Sequence, residues 1–152
     1  MHKAEIKKKL IEEINEELKR KAIFLKEMID DAQEEANFHK GAMSSRYDTF
    51  KEEAQAKRDS YAKQLQGVIT NMTLVAKIPS KLCMKGEFGS VVETDKKSFF
   101  LFANVMDDPI LINGKSYYPI SPVSPFGKAI ISRSAGETIS FNQVHYLIID
   151  VF

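Results

Sequence analysis

The residues best equipped for chemistry gather around Gly41. Glu34, Glu35, Asp48 and Glu52 bring carboxylates, His39 an imidazole, and Lys40 and Arg46 positive charge. If one helix runs into a turn here and another runs out, Glu35 and Asp48 face each other across it. Lys40 and Arg46 are side chains of the kind that contact nucleic-acid phosphates. The ordinary reading of all these charges is a solvated helix surface, and a single exposed histidine is usually neither ligand nor proton carrier. No nucleophile–base pair or zinc-ligand spacing appears elsewhere. Gly86-Glu87-Phe88-Gly89 lacks the lysine and the following helix that a phosphate-binding loop needs. Cys83 and Met84 read as core or linker contacts. Phe99, Phe100, Phe102, Tyr117 and Tyr118 are available to line a proline pocket, as a prolyl isomerase or chaperone would require, although alternating aromatics in short strands usually form core.

The elements that position these residues follow from punctuation. No proline and only Gly41 and Gly67 occur before residue 79, whereas five prolines and five glycines crowd into the remainder. Residues 1–76 therefore read as a helical hairpin and 77–152 as a small β-rich domain. The first helix is expected from His2 to Ala36, with Ile11, Leu18, Leu25 and Ala32 seven apart and Ala22, Ile29 and Ala36 beside them. Ile14 leans across where Asn15 interrupts the second line. The second helix is expected from Ser44 or Ser45 to Ala76, on a stripe of Tyr47, Ala54, Tyr61, Val68 and Val75. Two such stripes predict an antiparallel coiled coil about 50 Å long, its tip near residues 37–44. The remaining Glu and Lys positions are expected to face water. Alanines cluster toward the tip and large apolar side chains toward the base, so the distal end is expected to be thin.

After Pro79, strands are expected at 90–94, 98–105, 110–112, 115–120, 139–141 and 146–152. Asn113-Gly114 marks a type I′ hairpin, and Ser124-Pro125 opens a short helix whose buried side is Phe126, Ala129, Ile130 and Ile131. The class is α+β, with a small antiparallel sheet wrapped on that helix. The 22 basic and 21 acidic residues, balanced in both halves, exclude a general nucleic-acid or acidic-lipid binder. One cysteine excludes an internal disulfide and fits a reducing compartment. With no leader-like N-terminus and no membrane-length apolar run, a soluble cytoplasmic protein is expected.

Gly86…Gly89-Ser90-Val91-Val92, Tyr118 to Ile131 and Ala135-Gly136-Glu137-Thr138-Ile139, behind a long helical hairpin, resemble the bacterial Gre transcript-cleavage factors, GreA and GreB. Ser124-Pro125-Phe126-Gly127-Lys128-Ala129-Ile130-Ile131 matches the most specific stretch of their C-terminal domain, and Gly136-Glu137 stands where the family has Gly-Asp. The resemblance spans nearly the whole chain. It implies an FKBP-like C-terminal domain that grips RNA polymerase, here through Ser124, Pro125, Phe126, Gly127 and Lys128. It also implies a coiled coil that enters the secondary channel, with Asn37, His39, Lys40, Arg46 and Asp48 at or beside its tip.

In the family, acidic tip residues help hold a magnesium ion shared with the polymerase, because phosphodiester cleavage by two metals needs hard oxygen ligands. Here the family aspartate falls on Asn37 and its glutamate on Lys40, and the tip is about three residues longer before Tyr47. The implied protein is a monomeric, non-enzymatic modulator of elongation that contacts the polymerase and, indirectly, nascent RNA. It carries no intrinsic cofactor, does not bind membranes and lacks strong cleavage activity. The alternatives are a working cleavage factor using Glu35 and Asp48 as displaced metal ligands, the isomerase or chaperone module, and a plain structural coiled coil.

Overall fold

A computed structural model describes residues 2–38 and 44–152, with the backbone alone for Phe38 and residues 44–48. Helix α1 is Lys3–Phe38 and helix α2 is Ser44–Val75. Six strands and one short helix follow: β1 Val91–Thr94, β2 Ser98–Leu101, β3 Ile110–Ile112, β4 Lys115–Ile120, α3 Pro125–Ile130, β5 Thr138–Phe141 and β6 Val144–Val151. The class is α+β: a long N-terminal helical hairpin followed by a sheet domain. Contacts divide the chain into two compact units, one of 1–15 with 74–152 and the other of 16–73.

In the hairpin unit, Leu18, Ala22, Leu25, Ala32 and Ala36 of α1 and Ala54 and Val68 of α2 are buried. A run of Glu and Lys around such a stripe favours helix because straight side chains lose little freedom there and solvate the outer face. Near the N-terminus of α1, burial departs from the strict seven-residue spacing. Leu10 and Ile14 are fully buried and Ile11 only half-buried. Leu10, Ile11 and Ile14 belong to the other compact unit, with 74–152. Ile69 is exposed.

The other unit is built on one six-stranded sheet in the order β3-β4-β2-β1-β6-β5. The sheet is mixed, not antiparallel as the sequence led us to expect, because β2 and β4 pair in parallel with Phe99 opposite Tyr118. The β3–β4 hairpin turns back on itself at Asn113-Gly114, both at positive φ (52° and 77°) as a type I′ turn requires. That reversal returns β4 beside β2 in the same direction. Pro119, which has no N–H to donate, is tolerated within β4 because β3 pairs only as far as Tyr117.

One sheet face gathers Val92, Phe99, Leu101, Ile139, Ile148 and Val151 around Ile130 of α3. Of the four residues expected on the buried side of α3, Ile130 is fully buried, while Phe126, Ala129 and Ile131 are half-buried. A register shift between Glu93 and Thr94 interrupts the β1–β6 ladder, and Ile149 near it is exposed. The first turn of α1 belongs to this unit: Lys3 Nζ lies 2.8 Å from Asp150 and 5.6 Å above the Phe152 ring. Among the described residues no helix is long and apolar enough to cross a membrane.

Candidate functional site

The distal hairpin is positioned by Ala32, Ala36 and Ala54, whose small buried side chains hold α1 and α2 together in the hairpin unit. Outside that seam, Glu35 Oε2 meets Lys57 Nζ at 3.5 Å across the two helices. Arg58 Nη1 donates to Gln33 Oε1 at 3.0 Å, and Gln33 Nε2 donates to Asn37 Oδ1 at 3.4 Å. Asp31, Glu34, Glu35 and Asn37 border an open cavity of about 640 Å³. Glu35 thus supplies one carboxylate already shared with an ammonium. The side chains of Arg46 and Asp48, and His39 and Lys40 altogether, lie outside the described residues. Among the described residues no group of three His, Cys, Asp or Glu side chains could hold a metal ion.

The second candidate surface is the loop and helix start at 121–128. Ser124 is the N-cap of α3: its Oγ accepts from Gly127 N at 3.1 Å and donates to Ser121 O at 2.6 Å. Pro125 follows at the first turn, where its missing N–H costs nothing. Gly127 is required by close approach, since a Cβ there would lie 2.0 Å from Ser121 O and 3.0 Å from Pro122 Cα. Phe126 packs its ring against Phe99 at 4.6 Å, Phe141 at 5.1 Å and Tyr146 at 5.2 Å. Ser124, Phe126 and Gly127 therefore build the loop, and Val123, Pro125 and Lys128 are the side chains it offers to solvent. Gly86 is also structural. A Cβ there would meet Ile130 O at 2.1 Å, and its backbone bonds to Arg133 O and Ser132 N tie 86–89 to the end of α3.

The aromatics considered for a proline pocket are mostly core. Phe99, Phe100, Phe102 and Tyr117 are buried, and only Tyr118 is half-buried.

Two features were not read from the sequence. Lys7, expected on a solvated face, is only 3 % exposed; its Nζ donates to Lys81 O at 2.9 Å and to Cys83 Sγ at 3.8 Å. Burial holds the Lys7 ammonium below its ordinary range and pushes the Cys83 thiol up, so Cys83 is a weak acceptor and not an activated nucleophile. A lysine among charged neighbours on one helix gives no local sign of this, because the groups that bury it lie more than seventy residues away. The second feature is Asp95 in the β1–β2 turn. It accepts from Leu147 N at 2.9 Å through Oδ1, and its own N–H donates to Leu147 O at 3.0 Å. The Leu147 amide, followed by Lys96, holds its carboxyl below the ordinary 3.8.

No family model matches the chain, and no curated protein matches it. Among solved structures, the chain is similar to GreA factor homolog 1 (Gfh1) of Thermus thermophilus, at 17 % identity over 93 % of this chain and 94 % of that one, with a TM-score of 0.34. It is also similar to a second structure, of the transcription factor Gfh1, at 17 % identity over 93 % of this chain and 92 % of that one, with a TM-score of 0.35.

Proposed function

We propose that this chain is a Gre-like regulator of bacterial transcription elongation that acts in the cytoplasm on RNA polymerase. The C-terminal domain binds the polymerase through the 121–128 loop, using Val123, Pro125 and Lys128, while Ser124, Phe126 and Gly127 hold the loop in shape. The helical hairpin enters the secondary channel, where its tip acts by position and charge. The chain is not itself an enzyme and does not strongly stimulate transcript cleavage. By occupying the channel it competes with true cleavage factors and alters pausing.

The observation that carries this reading is a family-like loop combined with an altered distal hairpin. Ser124 and Gly127 perform the structural work that the matching stretch demands. At the other end, the positions of the family's acidic pair hold Asn37 and Lys40, and Glu35 is paired with Lys57. A two-metal hydrolysis needs hard anionic oxygens close to the ion, and an added lysine opposes it.

Core polymerase immobilised on a sensor tests the first step: the full chain binds, and a Pro125→Asp, Lys128→Glu variant loses at least tenfold in affinity. The absence of binding by the parent chain sinks the proposal. A backtracked elongation complex tests the second step. The expected result is no added RNA shortening, together with inhibition of a Gre cleavage factor supplied in excess of the complex. Shortening that disappears in Glu35→Ala or Asp48→Ala would instead identify a working cleavage factor.

A further inference from the structure

The β1–β2 turn presents Lys96 and Lys97 from a backbone that is bonded on both sides. Oγ1 of buried Thr94 accepts from Lys96 N at 3.2 Å and from Lys97 N at 3.0 Å, and it donates to Lys97 O at 2.6 Å. Asp95 ties the same turn to Leu147 through its carboxylate and its own N–H. Each ammonium then lies over a ring: Lys96 Nζ is 5.6 Å from the centre of Tyr146, and Lys97 Nζ is 4.9 Å from that of Tyr118. Both are cation–π distances.

Those two rings belong to one aromatic cluster. Buried Phe99 lies 6.2 Å from Tyr118, 4.6 Å from Phe126 and 6.4 Å from Tyr146, and Phe126 meets Phe141 at 5.1 Å. Tyr118, Phe126, Phe141 and Tyr146 are each only half-buried. Phe126 stands in the first turn of α3, so the cluster continues directly from the 121–128 loop. Aromatic side chains are enriched at the centres of protein interfaces, and charge is kept to the rim. The rim here is positive. Lys96 shares its charge with Asp95 at 3.3 Å and donates to His145 O. Among the described residues no carboxylate is ion-paired with Lys97 or with Lys128 of the loop.

We propose that Lys96 and Lys97, together with the half-open rings that join them to Phe126, form a second contact for RNA polymerase and receive an acidic segment of it. The inference rests on the polymerase-binding reading of 121–128. Charge complementarity sets the partner's chemistry. Carboxylates meet Lys97 and Lys128, and apolar side chains beside them cover the open edges of the rings. The turn is already bonded and each ammonium already held over a ring, so little freedom is left to lose on binding. Lys97 carries the larger share of the recognition, because Lys96 is partly satisfied by Asp95. A charge at an interface rim acts chiefly on the association rate and its salt dependence.

Core polymerase immobilised on a sensor, with the full chain applied at about 0.05 M and about 0.5 M salt, reads this directly, because exposed charges are strongly screened across that range. The parent chain is expected to associate more slowly at the higher salt. Lys97→Glu should lower the association rate at low salt by about tenfold and flatten its salt dependence. Lys97 is exposed and ion-paired with nothing described, so the variant should keep its circular dichroism and melting temperature. Lys85→Glu makes the same change of charge beside Ser134, and it should associate nearly as fast as the parent. A parent chain that binds while Lys97→Glu and Lys85→Glu behave alike overturns this inference and leaves the polymerase reading standing. A parent chain that does not bind at either salt overturns both.

Discussion

Gly127 occupies a place where only a hydrogen fits. A methyl group there would press on Ser121 O at 2.0 Å, and that nearest atom is backbone, which cannot turn aside as a side chain can. Gly127→Ala is expected to lower stability by about 1–3 kcal/mol, the range for forcing a methyl into a packed site. Urea unfolding should show a lower midpoint with an unchanged slope, and Ser124→Ala should cost about 1 kcal/mol as the loss of one cap. The cap was legible, since serine before proline is a helix-start signal in the chain itself. The glycine matched a family motif, but its reason was not legible: the carbonyl it must avoid comes from a loop whose path no local pattern specifies.

Asp95 makes a second test at this scale. Its carboxyl is held below 3.8 mainly by the Leu147 amide. In the folded chain it releases its proton more readily than in the unfolded one, so its contribution is complete above pH 3.8 and fades as the pH falls below that value. The difference in melting temperature between the parent and Asp95→Ala is therefore expected to be constant from neutral pH down to about pH 4 and to narrow at more acid pH. A difference that stays flat to pH 2 would mean that the carboxylate charge plays no part.

Among the elements, the helices were legible because a repeating apolar stripe persists through Leu18, Leu25, Ala54 and Val68 for many turns. The hairpin turn at Asn113-Gly114 was legible because its chemistry is local. A second turn of the same kind, Asn142-Gln143 with φ of 49° and 66° between β5 and β6, was not, because glutamine is an unusual residue at positive φ. The parallel pairing of β2 with β4 was equally hidden, since neighbours across a sheet are chosen by packing rather than by either strand's own residues. The strained turn carries a prediction. Gln143→Gly removes the Cβ penalty of the left-handed region, about 1 kcal/mol, and should raise the melting temperature by about 2–4 °C. Asn142→Gly should gain less, because asparagine already tolerates that conformation.

At the scale of the whole molecule, the division that matters does not fall where composition changes. All five prolines and five of the seven glycines lie at residue 79 or beyond, but contacts assign 1–15 to the same unit as 74–152. Asn15 interrupts the apolar stripe of α1, but the helix continues unbroken on both sides of it, so no breaker marks a boundary there. The bond from Lys7 to Lys81 and the pair between Lys3 and Asp150 show what those first turns do. A chain of residues 77–152 alone is close to the size at which a core barely sustains itself, and it would expose the surface that α1 covers at residues 81–83 and 150–152. It should therefore unfold broadly and at lower temperature than a chain in which residues 1–15 are joined to 74–152 by a flexible Gly/Ser linker. The joined chain should unfold in one cooperative transition and bury the Cys83 thiol against a thiol reagent, whereas the shorter one should react quickly. Equal melting and equal thiol protection in the two chains would show that the first turns of α1 add nothing to this unit.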